Sequence, residues 1–251
     1  MPVTGSKHTY YNLSIRVKAD GFSFLVTEGL SGDNLLCEEF TISAEQTLES
    51  LLTEKIRMHA LQQYGFSRVR VITQSDATCL PRQEFVAEEL ADVYSLVFPT
   101  FDREAYEVCY THLPQLDIVE VFLVSKSLME TVRAVYPDAT FTNSSALILG
   151  RVATYCKRQQ LPDNVLFAYT TPIQLYLFSI SENKLKFANS FPLDQPQDSL
   201  YYLLSVWKVL GLNARKNQCY VAGENGSVDY LTEALTPYLQ HVETLPISIE
   251  S

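Results

Sequence analysis

The chain repeats one order of predicted elements: three strands, a helix, a strand and a second helix. In the first half, residues 12–17, 22–26 and 35–42 alternate apolar and polar side chains as half-buried strands do. Ser43 with Gln46 has the spacing of a capping box and predicts the start of the first helix. Two halves with one order of elements predict an α/β protein with two similarly folded lobes.

The second half gives the same order of elements. Its predicted strands cover residues 165–169, 174–180, 185–191, 219–222 and 242–247. We expect Asp198 to cap the helix between the third and fourth of these strands, and Gly211 to end it. Residues 228–239 carry the apolar stripe of the last helix, which Ser227 is expected to begin.

Between the repeats, the first lobe carries an inserted module at about residues 104–158. The predicted elements of the module are strands at 106–110, 118–124 and 139–142, a helix opened by Ser127 and a helix capped by Ser144 or Ser145. The polar stretch 157–164 contains Pro162, and we place the lobe boundary there. The predicted domains are therefore residues 1–158 and 163–251.

Composition and charge exclude several functional classes. The net charge is −10, with 29 acidic and 19 basic residues and no basic run, which disfavours nucleic-acid binding. No apolar run approaches the roughly 20 residues of a membrane helix, and the polar first ten residues lack a secretion signal. The five cysteines form no CxxC pair and suit reduced thiols. We expect a cytoplasmic protein without membrane insertion or nucleic acid.

The sequence gives little support to other known arrangements of catalytic residues. A nuclease that uses two metal ions needs carboxylates that converge at strand ends, but Glu38, Glu39, Asp76 and Asp92 lie on an outer strand, a loop and a helix of the predicted layout. The four histidines have no metal-ligand spacing, and no GxSxG nucleophile turn occurs. The sequence therefore predicts no catalytic residue and no metal site.

The layout resembles the actin-like superfamily, which includes sugar kinases, Hsp70-type chaperones and actin. The likeness is carried by residues 119–156 of the module, by residues 165–193 with the strand end Phe191-Pro192-Leu193, and by the glycine turn and helix at 220–239. It is nearest to bacterial assembly proteins: the cell-division actin homologue, the type IV pilus actin-like protein and the cytoplasmic part of the type II secretion L protein. The resemblance implies two ribonuclease H-like lobes, each a mixed five-stranded sheet with helices.

The resemblance also implies where ATP would bind, and the sequence departs from the family there. Members that use ATP carry an aspartate and a glycine in the first turn of each lobe. Here residues 13–17 of the first strand have no acid, and Asp20 and Gly21 follow in what is more simply a tight turn. Residues 167–172 of the second lobe contain neither aspartate nor glycine, and bulky groups such as Tyr169 are expected where a phosphate would approach. We expect no bound cofactor.

A remnant of the adenosine motif lies between a predicted strand and a predicted helix, at Gly223, Glu224, Asn225, Gly226 and Ser227. Only Gly223 matches the paired glycines of the family, since Glu224 replaces the second and adds bulk and negative charge. The start of the helix could still bind an anion, although a strand-to-helix turn is the plainer interpretation. These residues are the candidates for binding ATP or another nucleotide.

Aromatic residues are plentiful and charged residues few. The chain has 15 tyrosines and 13 phenylalanines, and 19% charged residues against roughly 25% in average domains. The candidate interface residues are Tyr106, Tyr110, Phe122, Tyr201 and Tyr202. The sequence predicts a non-catalytic scaffold or adaptor that binds a protein partner or forms a homodimer. The alternative is a nucleotide- or metabolite-binding protein, such as a divergent ATPase or kinase, that uses the cleft between lobes.

Overall fold

The computed structural model describes residues 10–29, 31–159, 161, 164–182 and 184–247. In chain order these residues form β1 (Tyr11–Lys18), β2 (Gly21–Glu28), β3 (Asn34–Thr41), α1 (Leu48–Met58), β4 (Phe66–Thr73), β5 (Ala77–Pro81), α2 (Leu90–Val97), β6 (Tyr106–Leu113), β7 (Ile118–Ser125), α3 (Lys126–Arg133), β8 (Thr140–Asn143), α4 (Ser144–Gln159), β9 (Val165–Thr170), β10 (Gln174–Ser181), β11 (Lys184–Pro192), α5 (Pro196–Val209), β12 (Cys219–Gly223), α6 (Asn225–Leu235) and β13 (Val242–Thr244). Short 3₁₀ helices lie at Leu61–Gln63, Arg82–Glu84 and Ala87–Glu89.

The chain divides into two compact units. The first unit contains the residues before Asp76 together with Glu89–Tyr110 and Phe122–Asn143, and the second contains Asp76–Glu88, Thr111–Val121 and the residues from Ser144 onwards. Helix α4 therefore groups with the second unit. Pro162, on which the predicted lobe boundary rests, lies outside the described residues, and the division at 158 and 163 stays a prediction.

The first unit is built on a five-stranded sheet in the order β3-β2-β1-β4-β8. The strands β1, β2 and β3 are antiparallel, whereas β1, β4 and β8 run parallel to one another. Alternate side chains are buried along β1 and β2, and Ile15 and Phe24 have no exposed surface. Leu52 on α1 is equally buried. The periodicity of two in the sequence thus gives a sheet with an apolar core on one face.

The second unit repeats this plan, with a five-stranded sheet in the order β11-β10-β9-β12-β13. Strand β9 is buried along its whole length because both faces of the sheet are covered. Phe167 belongs to one core cluster with residues of α4, and Leu166 belongs to another with residues of α5 and α6. The repeated order and the two mixed five-stranded sheets confirm the predicted fold class. A third sheet has the strand order β5-β7-β6, and the sequence did not predict β5.

Two helices of the first unit begin at residues other than those predicted. The N-cap of α1 is Thr47, whose hydroxyl accepts a hydrogen bond from the Ser50 N–H at 3.3 Å. Ser43 instead donates to the Gln46 side chain at 3.1 Å, in a turn before the helix. The N-cap of α3 is Ser125 and not Ser127. Both predictions were wrong because several serine and threonine residues stand near each helix start, and spacing alone does not choose among them.

The helices of the second unit also start earlier than predicted. Helix α5 begins at Pro196 with Gln195 as its N-cap, and Asp198 completes a capping box from the third helical position. Helix α6 begins at Asn225 rather than Ser227 and ends at Leu235, and β13 ends at Thr244. The predicted turn before β11 includes Asn183, which lies outside the described residues.

Candidate functional site

The turn between β1 and β2 is a tight hairpin. Lys18 pairs with Gly21, which leaves only Ala19 and Asp20 to form the turn. The Asp20 carbonyl oxygen accepts a hydrogen bond from the Ile42 N–H at 2.9 Å. A Cβ at Gly21 would overlap the carbonyl oxygen of a β3 residue. Gly21 is therefore explained by the close approach of β3, without any ligand.

The corresponding turn of the second unit, between β9 and β10, is closed by its own hydrogen bonds. The Thr171 N–H donates to the Gln174 carbonyl at 2.9 Å, and the Gln174 N–H donates to the Thr171 hydroxyl at 3.0 Å. Tyr169 does not stand at this turn, contrary to expectation. Its side chain is buried in the core cluster that contains α4, edge-on to Tyr176. The expectation was wrong because successive strand residues face opposite sides of the sheet.

The turn between β12 and α6 carries the remnant motif. Gly223 has a φ of +133°, and a Cβ there would overlap the Thr170 carbonyl oxygen. The Glu224 N–H donates to that same oxygen at 3.0 Å. At Gly226 an added Cβ would meet no atom within 4 Å. The contact between β9 and β12 therefore requires a glycine at position 223 but not at position 226.

A pocket of about 310 Å³, here named the second-unit pocket, opens beside these turns. Its lining includes Thr170, Thr171 and Pro172 at the end of β9, Pro196 and Ser199 from α5, and Glu224, Gly226, Ser227 and Tyr230 from α6. The structure thus brings three of the five remnant residues to one pocket, while Gly223 and Asn225 are not among its lining residues. The first turns of two helices border the same space.

The electrostatics of the second-unit pocket are mixed. Helix N-termini favour anions, but Glu224 adds a carboxylate, and none of the lining residues is lysine, arginine or histidine. The volume lies at the low end of the roughly 300–1,000 Å³ of small-molecule pockets. No group of three or more His, Cys, Asp or Glu side chains placed for a metal occurs in the part of the chain that the structure describes. The lining therefore offers no cationic side chain to a bound phosphate group.

One buried carboxyl group was missed at the sequence level. Glu120 on β7 is 2% exposed, and its Oε2 makes no hydrogen bond. Burial raises the pKa of Glu120 to about 8, although the Ser145 hydroxyl and the Ala146 N–H at the start of α4 act to lower it. Burial and the Glu120 charge raise the pKa of Cys79. The detectable signal was a single acid inside the apolar run of β7.

The predicted interface residues of the second unit lie in an aromatic cluster at the surface. Tyr201 is 69% exposed, and its ring meets that of Tyr202 edge-on at 5.4 Å. Tyr202 in turn stacks on Phe191 at 4.7 Å. The cluster therefore presents a pre-packed aromatic surface on α5.

The three remaining candidates lie on β6 and β7. Tyr106 and Tyr110 on β6 are exposed. Phe122 on β7 has no exposed surface and belongs to the core, so its selection as an interface residue was wrong. The apolar run of β7 already indicated a strand buried on both faces.

Among the helices of the described residues, none combines the length and the apolar character that a membrane span requires.

These sheets and their order define an actin-like ATPase fold. A crystal structure from Bacteroides thetaiotaomicron, of a protein with this fold and unknown function, is similar with a TM-score of 0.82 and 24% identity over 96% of this chain and 94% of that chain. The PilM–PilN type IV pilus biogenesis complex contains a similar chain, with a TM-score of 0.55 and 11% identity over 96% of this chain and 89% of that chain.

The chain belongs to the family described as "Protein of unknown function (DUF3822)", whose family model matches residues 3–242. No curated protein matches the sequence. The similar crystal structures confirm the actin-like fold that the resemblance implied, and a fold does not specify an activity.

Proposed function

We propose that this protein is a non-catalytic scaffold or adaptor of the actin-like fold that acts through contacts with other protein chains. The observation that carries the proposal is Glu224 in the lining of the second-unit pocket, at a position where the resemblance to the actin-like superfamily implies the second of two paired glycines. A triphosphate brings several negative charges to this position. The carboxylate opposes those charges, and the lining contains no lysine, arginine or histidine.

The surface of α5 supports a role in protein contacts. Tyrosine is enriched at protein interfaces because it buries a large rigid ring and keeps a polar tip. Tyr201 is mostly exposed although its ring lies beside that of Tyr202, which itself stacks on Phe191. PilM, which shares the fold at low identity, is found in a complex with PilN in type IV pilus biogenesis. By analogy, this fold can serve assembly without this chain sharing that partner.

We place the protein in the cytoplasm on the chemistry of its cysteines. All five are free thiols, and Cys156 and Cys219 are buried. Burial raises the pKa of Cys219 to about 12, which keeps this thiol protonated and unreactive. Free buried thiols are typical of a reducing compartment.

A thermal-shift experiment with Mg-ATP, ADP and GTP tests the nucleotide part of the proposal. A ligand at a hundred times its Kd stabilises a native protein by about 2.7 kcal/mol, which raises Tm by several degrees. We expect no shift for the wild type. The variant Glu224→Gly introduces the second glycine that the superfamily motif implies, and it serves as the comparison. A shift in the wild type, or metal-dependent ATP hydrolysis that Glu224→Ala abolishes, would contradict the proposal.

Affinity purification from cells of the source organism tests the contact part. The variant Tyr201→Ser removes the exposed ring of the aromatic cluster, and Tyr238→Ser removes another exposed tyrosine of the second unit as a matched control. We expect a stoichiometric partner to be retained by the wild type and by Tyr238→Ser and lost by Tyr201→Ser. Equal recovery with all three proteins would exclude the aromatic cluster as the contact.

A second candidate function is binding of a small metabolite, and the volume of the second-unit pocket favours it. Hydroxyl groups of Thr171 and Ser227 and the ring of Tyr230 could contact an uncharged polar ligand. A thermal-shift screen of nucleosides and sugars tests this function. The variant Gly226→Leu adds a side chain at the pocket lining without overlap, since a Cβ there meets no atom within 4 Å. A thermal shift that the wild type shows and Gly226→Leu loses would support metabolite binding.

A further inference from the structure

The first sheet leaves open a face that the second sheet buries. In the second unit, α5 and α6 cover one face of the sheet and α4 covers the other, so that β9 is buried along its whole length. The corresponding strand of the first sheet is β1, in which only Leu13 and Ile15 are buried. These two side chains lie on the face that α1 covers. The opposite face of the first sheet is polar along β1 and reaches solvent.

Strand register identifies the side chains on this open face, because residues opposite each other in neighbouring strands point to the same side of a sheet. Arg68 lies beside Asn12, and Arg70 lies between Ser14 on β1 and Thr140 on β8. The two rows that these residues form are here named the open-face patch. Its members are Asn12, Ser14, Thr27, Arg68, Arg70 and Thr140. All six side chains are exposed or half-buried, and none of them is acidic.

The two arginines of the patch lack a counter-charge. They stand two residues apart on β4, so their side chains leave the sheet roughly 7 Å from each other. Burial of Arg70 and the charge of Arg68 both lower the pKa of Arg70. Asp138 precedes the neighbouring strand β8, but among the described residues no carboxylate lies within 4 Å of either guanidinium group. The fold therefore holds two like charges together without pairing them.

The charge of the patch is opposite to that of the whole chain, whose net charge is −10. At the hairpin end of the same face, Glu39 is the acidic side chain that the register places there, beyond Ser23 from Arg16. Lys18 neutralises Glu39 through an ion pair of 2.9 Å. The patch is therefore a local positive site on an acidic protein.

The charge and the small size of the patch select its ligand. A guanidinium group binds a carboxylate through two parallel N–H···O bonds. Nucleic acid is held by neutralising many phosphates, which two arginines on an acidic chain do not supply. A short acidic peptide needs only local contacts, since salt screens the repulsion from charges more than about 10 Å away. Leu25, half-buried beside Ser14, adds an apolar contact next to the arginines.

We propose that the open-face patch docks an acidic segment of a partner protein, with a carboxylate bound between Arg68 and Arg70. This inference rests on the proposed scaffold function and specifies the chemistry of the partner. On the corresponding strand β12 of the second sheet, Tyr220 and Ala222 belong to the core cluster that contains α4. The second sheet is thus covered by an apolar helix of its own chain, whereas arginines at the equivalent place favour a charged segment from another protein.

Selection from a random-peptide display library against the full-length protein tests the proposal. We expect the enriched peptides to share aspartate or glutamate. Binding of one such peptide, measured by fluorescence anisotropy, should weaken about tenfold or more in Arg70→Gln, because a charge-assisted pair is lost. Arg70→Lys should weaken binding less, since lysine keeps the charge but not the planar fork. Raising the NaCl concentration from about 0.05 to about 0.5 M should also weaken binding to the wild type.

The matched control is Arg57→Gln on α1, which removes an exposed arginine of the same unit that lies outside the patch. This variant should bind the peptide as the wild type does. Because Arg70 is only half-buried and is repelled by Arg68, its replacement should leave Tm within about two degrees of the wild type. An unchanged Tm separates lost binding from lost folding.

Several results would overturn the docking site. Equal binding to Arg70→Gln and wild type would place the peptides elsewhere, and enrichment of no peptide or of peptides without acids would refute the charge argument. Binding of DNA or of phosphatidylserine vesicles that Arg70→Gln weakens would assign the patch to a nucleic acid or a membrane. Dimerisation that Arg70→Gln abolishes would identify a second copy as the occupant. If a partner still depends on Tyr201 while the patch fails, the scaffold function stands and this site does not.

Discussion

The carboxyl group of Glu120 should link the stability of this protein to pH. It is 2% exposed on β7, its Oε2 has no hydrogen bond, and burial raises its pKa from 4.5 to about 8. In the unfolded chain the same group is in water and ionises near its ordinary pKa. Replacement by glutamine keeps the shape of the side chain and removes its ability to ionise.

The direction of the pH dependence follows from the number of protons that the folded and unfolded states bind. Below about pH 4.5 the carboxyl is protonated in both states and contributes no pH dependence. Between about pH 4.5 and pH 8 the folded protein holds a proton that the unfolded chain has released. The free energy of unfolding therefore falls as pH rises, by about 1.4 kcal/mol per pH unit for this group. From about pH 5 to about pH 7 the loss is roughly 3 kcal/mol, and it approaches 5 kcal/mol above pH 8.

Urea unfolding at about pH 5, 6, 7 and 8 measures this loss in the wild type and in Glu120→Gln. The comparison is made between the slopes against pH, because the buried amide brings its own unsatisfied donors and shifts stability by about 1–3 kcal/mol at every pH. The variant Glu107→Gln is the matched control, since it removes an exposed carboxyl on β6. We expect it to keep the slope of the wild type.

Parallel curves for the wild type and Glu120→Gln would refute the reasoning. That result would mean that water or additional hydrogen bonds stabilise the ionised carboxylate in solution, so that its pKa stays near the ordinary value. A steeper fall in the variant would give the opposite sign and would be equally incompatible. Neither result would affect the proposal for the second-unit pocket, which involves other residues.

Two further predictions concern the glycine turn and the first helix. Gly223→Ala should destabilise the protein by more than about 2 kcal/mol in urea unfolding, because its Cβ would overlap the Thr170 carbonyl, whereas Gly226→Ala should be neutral or stabilising by up to about 1 kcal/mol. Thr47→Ala should cost about 1 kcal/mol through loss of the α1 cap and Ser43→Ala clearly less, and equal losses would favour the capping box that the spacing predicted.

The sequence predicted the order of the strands and α-helices apart from β5, because periodicity reports which side chains face a core. Residues 12–17 alternate and form β1, and the continuous apolar run of β9 forms a strand buried on both faces. The helix starts were not predictable to the residue. Ser43 and Thr47 are chemically similar. Only the backbone geometry decides which hydroxyl oxygen accepts a hydrogen bond from the free N–H groups at the helix start.

The residues of the candidate site could be predicted only in part from the sequence. The strand-to-helix position of Gly223 to Ser227 followed from local pattern, but the pocket depends on residues distant in the chain, such as Ser199 and Tyr230. A pocket of the first unit likewise joins Tyr11, Leu35 and Phe66 from three different strands. Which residues meet across a sheet depends on register, and register is a property of the folded chain.

The two glycines at the strand ends show why a retained residue need not indicate a retained ligand. Gly21 and Gly223 both stand where a side chain would overlap a neighbouring carbonyl oxygen. The sheet therefore requires them whether or not a phosphate ever binds, and their presence does not distinguish a scaffold from an ATPase. Position 224 is informative instead, since it is exposed and tolerates a full side chain. The backbone does not require a particular residue at this position, and so the nucleotide assay is best centred on Glu224.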